Sequence, residues 1–247
     1  SGRRLPEPFL RALAWVKLAA ARSNLELGLL SETKAHAIES AAREVVEGKW
    51  FEHFPVDVFQ TGSATSSHTN MNEVLANLAS VRSGEPIGSK RPVHPNDDVN
   101  LGQSSNDVVP TALHLSVSVE LTRSLVPALE TLGRALQAKS SEFDSILKVG
   151  RTHLMDATPM TLGQAFSGYA QQVTKGIDRC HRAVAALSEL AIGGTAVGTG
   201  LNRHPEFPAR VCRILSLETG LCFREAANHF EAQGARDDVV EVAGHLA

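Results

Sequence analysis

Between residues 162 and 191 apolar side chains return at intervals of three and four: Leu162, Phe166, Tyr169, Val173, Ile177, Cys180, Val184, Leu187 and Ala191. Only an α-helix turns that spacing into one continuous face. A stripe kept up for roughly eight turns outruns most globular helices and suggests a multi-helix bundle or a coiled-coil-like oligomer core. Gly193-Gly194 ends it. A second long pattern runs from Asp107 to Lys139 through Val108, Ala112, Leu115 and Val119, then Leu125, Leu129, Leu132 and Leu136. Pro110 is tolerated in its first turn, whereas Pro127, in mid-pattern, removes a backbone donor and predicts a kink.

Shorter helical patterns flank these. Phe9, Leu13, Val16 and Ala20 form one face closed by Gly28, and Ala35, Ile38, Ala42 and Val45 another, after Ser31 and before Gly48. Residues 50–68 lose the period and read as loop, with a short strand pair around Val56–Phe59. Helix resumes near Asn70, breaks over residues 83–103 (Gly84, Pro86, Gly88, Pro92, Pro95), and returns over Phe207–Thr219 before Gly220. A last helix opens near Asn228 and still runs at Ala247 without a cap or breaker, which reads as a fragment whose C-terminal part is missing. The expected class is all-α, an elongated multi-helix bundle. Residues 1–103 read as an N-terminal, mostly helical domain incomplete at its start, and 104–247 as the first part of a central long-helix domain, truncated at its end.

Composition narrows the function classes. With 43% hydrophobic and 21% charged residues in 247, the chain can bury a core and is not disordered. A net charge of -3 leaves no footprint for nucleic acid or anionic membrane. Three cysteines at no metal-like spacing point to a reduced, cytoplasmic setting. No apolar run approaches the roughly 18 residues of a membrane span, and Ser1–Pro6 lacks the apolar core of a signal peptide.

Four polar stretches interrupt the helices: Thr61-Gly-Ser-Ala-Thr-Ser-Ser67, His94-Pro-Asn-Asp97, Gln103-Ser-Ser-Asn-Asp107 and Gly150-Arg-Thr-His153. Each is rich in neutral donors, and two precede long helices. Helix N-termini offer unpaired N–H groups and partial positive charge, so a small carboxylate is the natural guest. The plainer reading of each stretch is an N-cap or a solvated loop. Ser104-Ser105-Asn106-Asp107 needs only one cap, and its surplus hydroxyl and amide favour a binding role. His153, beside Thr152 in a loop opening onto the longest helix, is a candidate general acid or base. His94 with Asp97 and Asp98 matches no metal-ligand set, and no metal or other cofactor is expected. The run Ile192–Asn202 has no Walker lysine and follows a helix, so it reads as a tight inter-helix connection.

These blocks, in this order, resemble the fumarase/aspartase superfamily, and within it the class II fumarases. The matching text is His53–Ser63, His94–Asp97, Gln103–Asp107, Gly150–Leu154 with Asp156–Pro159 and Thr161–Gln164, and Gly193–Asn202. The resemblance implies a helical protein of three domains whose long central helices form a homotetramer, each active site combining segments from three subunits. It implies reversible hydration of fumarate to (S)-malate, a step of the tricarboxylic acid cycle. It places the dicarboxylate on Ser63, Thr65, Ser104, Ser105, Asn106 and Thr152, gives His153 an acid/base role, and assigns Arg91, His94, Asn96 and Asp97 to a second dicarboxylate site. The family's glycine-serine-serine mobile loop, with its base serine and the lysine and asparagine that follow, is expected beyond Ala247.

Departures from the pattern are specific. Ala64 stands where the family has a glycine, a position where a β-carbon disfavours a positive φ. His68-Thr69 replaces the more usual Asn-Met, and Leu78 a common arginine. An aspartase-like ammonia-lyase is the rival enzyme, disfavoured because aspartases generally carry Gln where His153 stands. A non-catalytic helical oligomerisation subunit is the reading if the chain is naturally this short.

Overall fold

A computed structural model describes residues 1–246; Ala247, where the last helix was expected still to run, lies outside them. The architecture is mostly helical. In order come α1 (Glu7–Glu26), α2 (Glu32–Val46), α3 (Thr65–Arg82), α4 (Ser105–Glu120), α5 (Val126–Glu142), strands β1 (Leu147–Thr152) and β2 (Met155–Thr161), and α6 (Leu162–Ala186). They are followed by β3 (Glu189–Leu190), α7 (Phe207–Thr219), β4 (Arg224–Glu225), α8 (His229–Gly234) and α9 (Asp237–Leu246). The chain divides into two compact units, one of Ser1–Ser118 with Leu187–Val239, the other of residues 119–186 with those from 240 on.

In the first unit α1 is the central helix. Leu13, Val16, Leu18, Ala19 and Ala20 are fully buried, and its neighbours are α2 and α7. Small side chains let α2 approach closely through Ala41 and Ala42, both fully buried. Charge ties the same three helices together: Arg22 of α1 bonds Glu39 of α2 and, at 2.6 Å, Glu218 of α7, while Arg43 meets both acids at 3.3 Å. These carboxylates titrate below their usual range because guanidinium groups bond them. α7 ends as its sequence predicts, with Gly220 in the left-handed conformation.

In the second unit α5 and α6 pack together, and Phe143, Phe166 and Tyr169 form edge-to-face pairs at 5.2 and 5.8 Å. Pro127 acts as its chemistry demands. It sits in the first turn of α5, just after a five-residue π-helical segment, Leu121–Leu125, where the Val126 N–H reaches back to the Leu121 carbonyl. The helix changes register where a donor is about to be lost.

Five expectations need correction. α3 begins at Thr65, not near Asn70, so Thr65–Ser67 belong to a helix rather than a loop. α6 stops at Ala186; of the stripe, Leu187 is buried in the turn that follows and Ala191 is buried just past β3, which pairs in parallel with β4. The strand pair around Val56–Phe59 is a single bridge between Arg4 and Asp57. The last helix is two, α8 and α9, parted where Ala235 turns extended. Finally, residues 147–161 form an antiparallel hairpin that helical periodicity gave no sign of. No helix among the described residues is long and apolar enough to cross a membrane.

Candidate active site

Two helix N-termini of the first unit share a chain of hydroxyls. Ala64 sits before α3 at φ 50 and ψ 31, the left-handed conformation that the β-carbon disfavours, and its N–H donates to the Thr61 carbonyl at 2.8 Å. The resulting turn places Ser63 Oγ 3.0 Å from Thr65 Oγ1, which lies 2.9 Å from Ser105 Oγ in the first turn of α4. Gln60 braces the turn, donating to Ser67 Oγ and accepting from its N–H. Ser63 and Thr65 are exposed, and Ser105 is half-buried.

α4 begins with a reciprocal cap. Ser104 Oγ accepts the Asn106 N–H at 3.2 Å, and Asp107 Oδ1 accepts the Ser104 N–H at 2.9 Å, a capping box with aspartate in the third position. Capping is therefore real for Ser104, and Ser105 and Asn106 are the surplus. The other Asp107 oxygen accepts the N–H groups of Gly193 and Thr195, both at 2.9 Å. Asp107 is fully buried, and burial pushes its carboxyl up to about 6 against the pull of those three donors. Asn106 Nδ2 donates to the Ala196 carbonyl at 2.7 Å. The run from Gly193 is thus more than a connection: it is fastened to α4 and forms a wall of the site. Its glycines permit that approach, since a Cβ on Gly193 would lie 2.2 Å from Pro208 and one on Gly198 2.7 Å from Phe230.

Beneath the turn that leads into Ser104 lies Lys17, 0% exposed. Its ammonium meets His68 Nε2 at 2.8 Å, Gln103 Oε1 at 2.9 Å and Asn100 Oδ1 at 3.1 Å, one acceptor for each of its protons. Asn100 and Gln103 donate their amide N–H groups to the carbonyls of Gln103, Val99 and Leu101, which fixes their oxygens toward Lys17. Burial lowers Lys17 to about 7 and, with the Lys17 charge beside it, His68 to about 2. His68 is therefore a neutral acceptor, which accounts for a second departure from the family pattern.

A cleft of about 590 Å³ opens over this surface, lined by Ser63, Ser105 and Asn106 on one side and by Ala196, Val197, Phe230, Gln233 and Arg236 on the other. Neutral donors at the starts of an eighteen-residue and a sixteen-residue helix suit a carboxylate. Phe230, Gln233, Arg236 and Lys17 escaped the sequence reading, and Asp107 was read only as part of a cap. Lys17 alone had a signal, as the one charge inside the Leu13–Ala21 segment of α1.

Thr152 and His153 belong to the second unit. Thr152 ends β1 opposite Met155, so His153 and Leu154 form a two-residue turn, with φ 51 and 62. Positive φ at both centres marks a type I′ hairpin turn, which normally takes Asn-Gly; His-Leu is strained there. His153 stands at an exposed hairpin tip, not in a loop that opens directly onto α6. Of the residues assigned to a second dicarboxylate site, Arg91 and His94 precede the π-helical turn Pro95–Val99, and Asn96 and Asp97 lie within it. His94 Nδ1 accepts the Asn96 and Asp97 N–H groups at 3.2 and 3.1 Å, and exposed Arg91 pairs with Glu85 at 3.3 Å.

The profile of the Lyase family matches residues 3–247. The chain belongs to that family. It is 57% identical over 237 residues to the class II fumarate hydratase of Halobacterium salinarum, covering 96% of this chain and 50% of that protein. It is 53% identical to the mitochondrial fumarate hydratase of Rhizopus oryzae, over 98% of this chain and 49% of that one. Among solved structures, the class II fumarase of Schistosoma mansoni superimposes with a TM-score of 0.95 at 38% identity, over 98% of this chain and 54% of the other. The resemblance drawn from the motifs holds over nearly the whole sequence. The chain of this family member spans about half the length of the relatives it matches.

Proposed function

We propose that the protein catalyses the reversible hydration of fumarate to (S)-malate. The observation that carries this is the hydroxyl chain Ser63–Thr65–Ser105 at two helix starts, whose Ser63 and Ser105 line one cleft with Asn106. Removing a proton from the carbon next to a carboxylate builds a second negative charge on that carboxylate. Preorganised hydroxyl, amide and backbone donors stabilise it, each contributing roughly 3–4 kcal/mol to the transition state. In this reading Ser63, Thr65, Ser104, Ser105, Asn106 and Thr152 hold the substrate. His153 moves the proton of the departing or arriving hydroxyl through a water, and the carbon-side base is the loop serine that the family pattern places after Ala247. Arg91, His94, Asn96 and Asp97 form the second dicarboxylate site.

The same reading makes the protein a cytoplasmic homotetramer with shared active sites. Its domain division falls at 103/104, just before α4, and the partly exposed α6 face, where Tyr169 is 52% exposed, is the surface for subunit contact. The three unpaired thiols Cys180, Cys212 and Cys222 support a reducing compartment. The rival is an ammonia-lyase acting on aspartate. The test assays the whole protein for loss of fumarate absorbance, and separately with aspartate. Turnover of fumarate and malate alone supports the proposal; turnover of aspartate, or none with fumarate, overturns it.

A further inference from the structure

Among the described residues, every candidate contact for the dicarboxylate in the cleft is neutral or a histidine, yet the proposed guest carries two negative charges, and the family pattern adds one lysine, on the loop expected after Ala247. Among the described residues that line the cleft, Arg236 is the single lysine or arginine. It is half-buried, between the end of α8 and the start of α9. Its recorded bonds use one nitrogen: Nη1 donates to the Ala232 carbonyl at 3.3 Å and to that of Ala235. Glu189, Glu231, Asp237 and Asp238 share a small adjoining pocket with it and with His114, but no ion pair joins any of them to its guanidinium. The other buried-side arginines of this unit behave differently. Arg22 and Arg43 bond carboxylates, which raise them, whereas burial alone acts on Arg236 and lowers it.

A half-buried guanidinium without a carboxylate is an incomplete arrangement, because its desolvation is offset only when an anion arrives. Arginine also carries its donors in a planar fork that matches both oxygens of a carboxylate. We propose that Arg236 is a substrate-binding residue of the cleft, the cation that receives one carboxylate of a dicarboxylate whose other end lies on the Ser63–Thr65–Ser105 hydroxyls. This rests on the reading of the cleft as a dicarboxylate site and adds to it a fixed cation from this chain's own cleft lining. It also gives the cleft a polarity: neutral donors at one end, where charge grows during reaction, and a fixed cation at the other, where charge is constant. Arg236 thereby acts on binding more than on the chemical step.

The experiment uses the whole protein with Arg236→Gln and Arg236→Lys, reading KM and kcat for fumarate, Kd for succinate as a non-reacting probe, and the melting midpoint. The expected result for Arg236→Gln is at least a tenfold rise in KM and in the succinate Kd, with kcat changed less than threefold. The salt dependence of succinate binding should flatten as well. Arg236→Lys keeps the charge and loses the fork, so it should recover part of the affinity and the salt dependence. If KM and Kd in Arg236→Gln equal those of the unaltered protein while the midpoint falls, Arg236 is only a cap for α8 and the inference is overturned, the proposed function standing. Unchanged succinate binding in Arg236→Lys together with unfolding of Arg236→Gln likewise overturns it, since fork recognition would then be worth nothing. Failure of the unaltered protein to bind succinate and to hydrate fumarate defeats both readings at once.

Discussion

The N-terminus of α4 and the tip of the β1–β2 hairpin both carry candidate site residues, and they are held in opposite ways. The α4 terminus is fastened from below. Asp107 takes three backbone donors, Lys17 three side-chain acceptors, and both lie out of water. The hairpin tip has no such foundation within its unit: Leu147 is 77% and Leu154 96% exposed, and its two-residue turn holds a strained conformation. A two-stranded hairpin by itself is marginally stable, so its geometry depends on what packs against it. In the proposed function Ser104, Ser105 and Asn106, which present donors to the substrate, stand on the braced part, whereas Thr152 and the proton-moving His153 stand on the hairpin.

The largest effect that sharpens this contrast is expected at His153. His153→Asn in the whole protein should lower turnover about 10²–10⁴-fold, the usual weight of a general acid or base. Because asparagine accepts a positive φ more readily, the melting midpoint should hold or rise slightly. Normal turnover with a raised midpoint would make His153 a turn residue and nothing more. At the fastened end the order reverses. Asp107→Ala leaves three buried N–H groups unpaired and should cost about 3–5 kcal/mol in urea unfolding, as loss of one partner in a buried charged cluster does. A loss well under 1 kcal/mol would mean that the clamp on the loop carries little.

A pH series separates the two buried charges. Lys17 titrates at about 7 in the fold and 10.5 in the free side chain, so between those values the unfolded chain binds the extra proton and stability rises with pH. Asp107 runs the other way: raised from 3.8 to about 6, it holds a proton in the fold that the unfolded chain has released, and stability falls as pH rises through that window. Lys17→Met should abolish the alkaline rise while leaving the acid limb. Unfolding free energies at half-unit steps would detect this, and an unchanged alkaline limb in the variant would refute the assignment to Lys17. The smallest effect concerns strain alone. Ala64→Gly and Leu154→Gly each remove a β-carbon from a positive φ and should each stabilise by about 1 kcal/mol, less the entropy glycine adds to the unfolded chain. A loss of stability in both would show that neither turn is strained.

Helical periodicity located α1, α2, α7 and the Pro127 break, because each buries one regular face. It misjudged α6 beyond Ala186, where Leu187 and Ala191 stay buried outside any helix, on either side of β3; burial, not helicity, set the spacing there. The hairpin was invisible since β1 and β2 are exposed along most of their length and show no alternation to read. Around the site, the hydroxyl stretches were legible as donor-rich runs before helices. Asp107 was readable as a cap, but its grip on Gly193 and Thr195 depends on a fold that joins distant segments. Arg236 and Phe230 lay in a pattern that reads simply as one amphipathic helix, and their place in the cleft follows from the break at Ala235.

That grip has a consequence for synthesis on the ribosome. Gly193 and Thr195 follow Asp107 by 86 and 88 residues. At bacterial or eukaryotic elongation speeds the partners emerge about 4–18 seconds after the carboxylate they bind. Through that interval Asp107 stays hydrated, and joining the ends across so long a segment costs about 4 kcal/mol of chain entropy. The cleft thus cannot close until that interval has passed, and a newly made polypeptide goes through a period in which α4 is present and its binding surface is not.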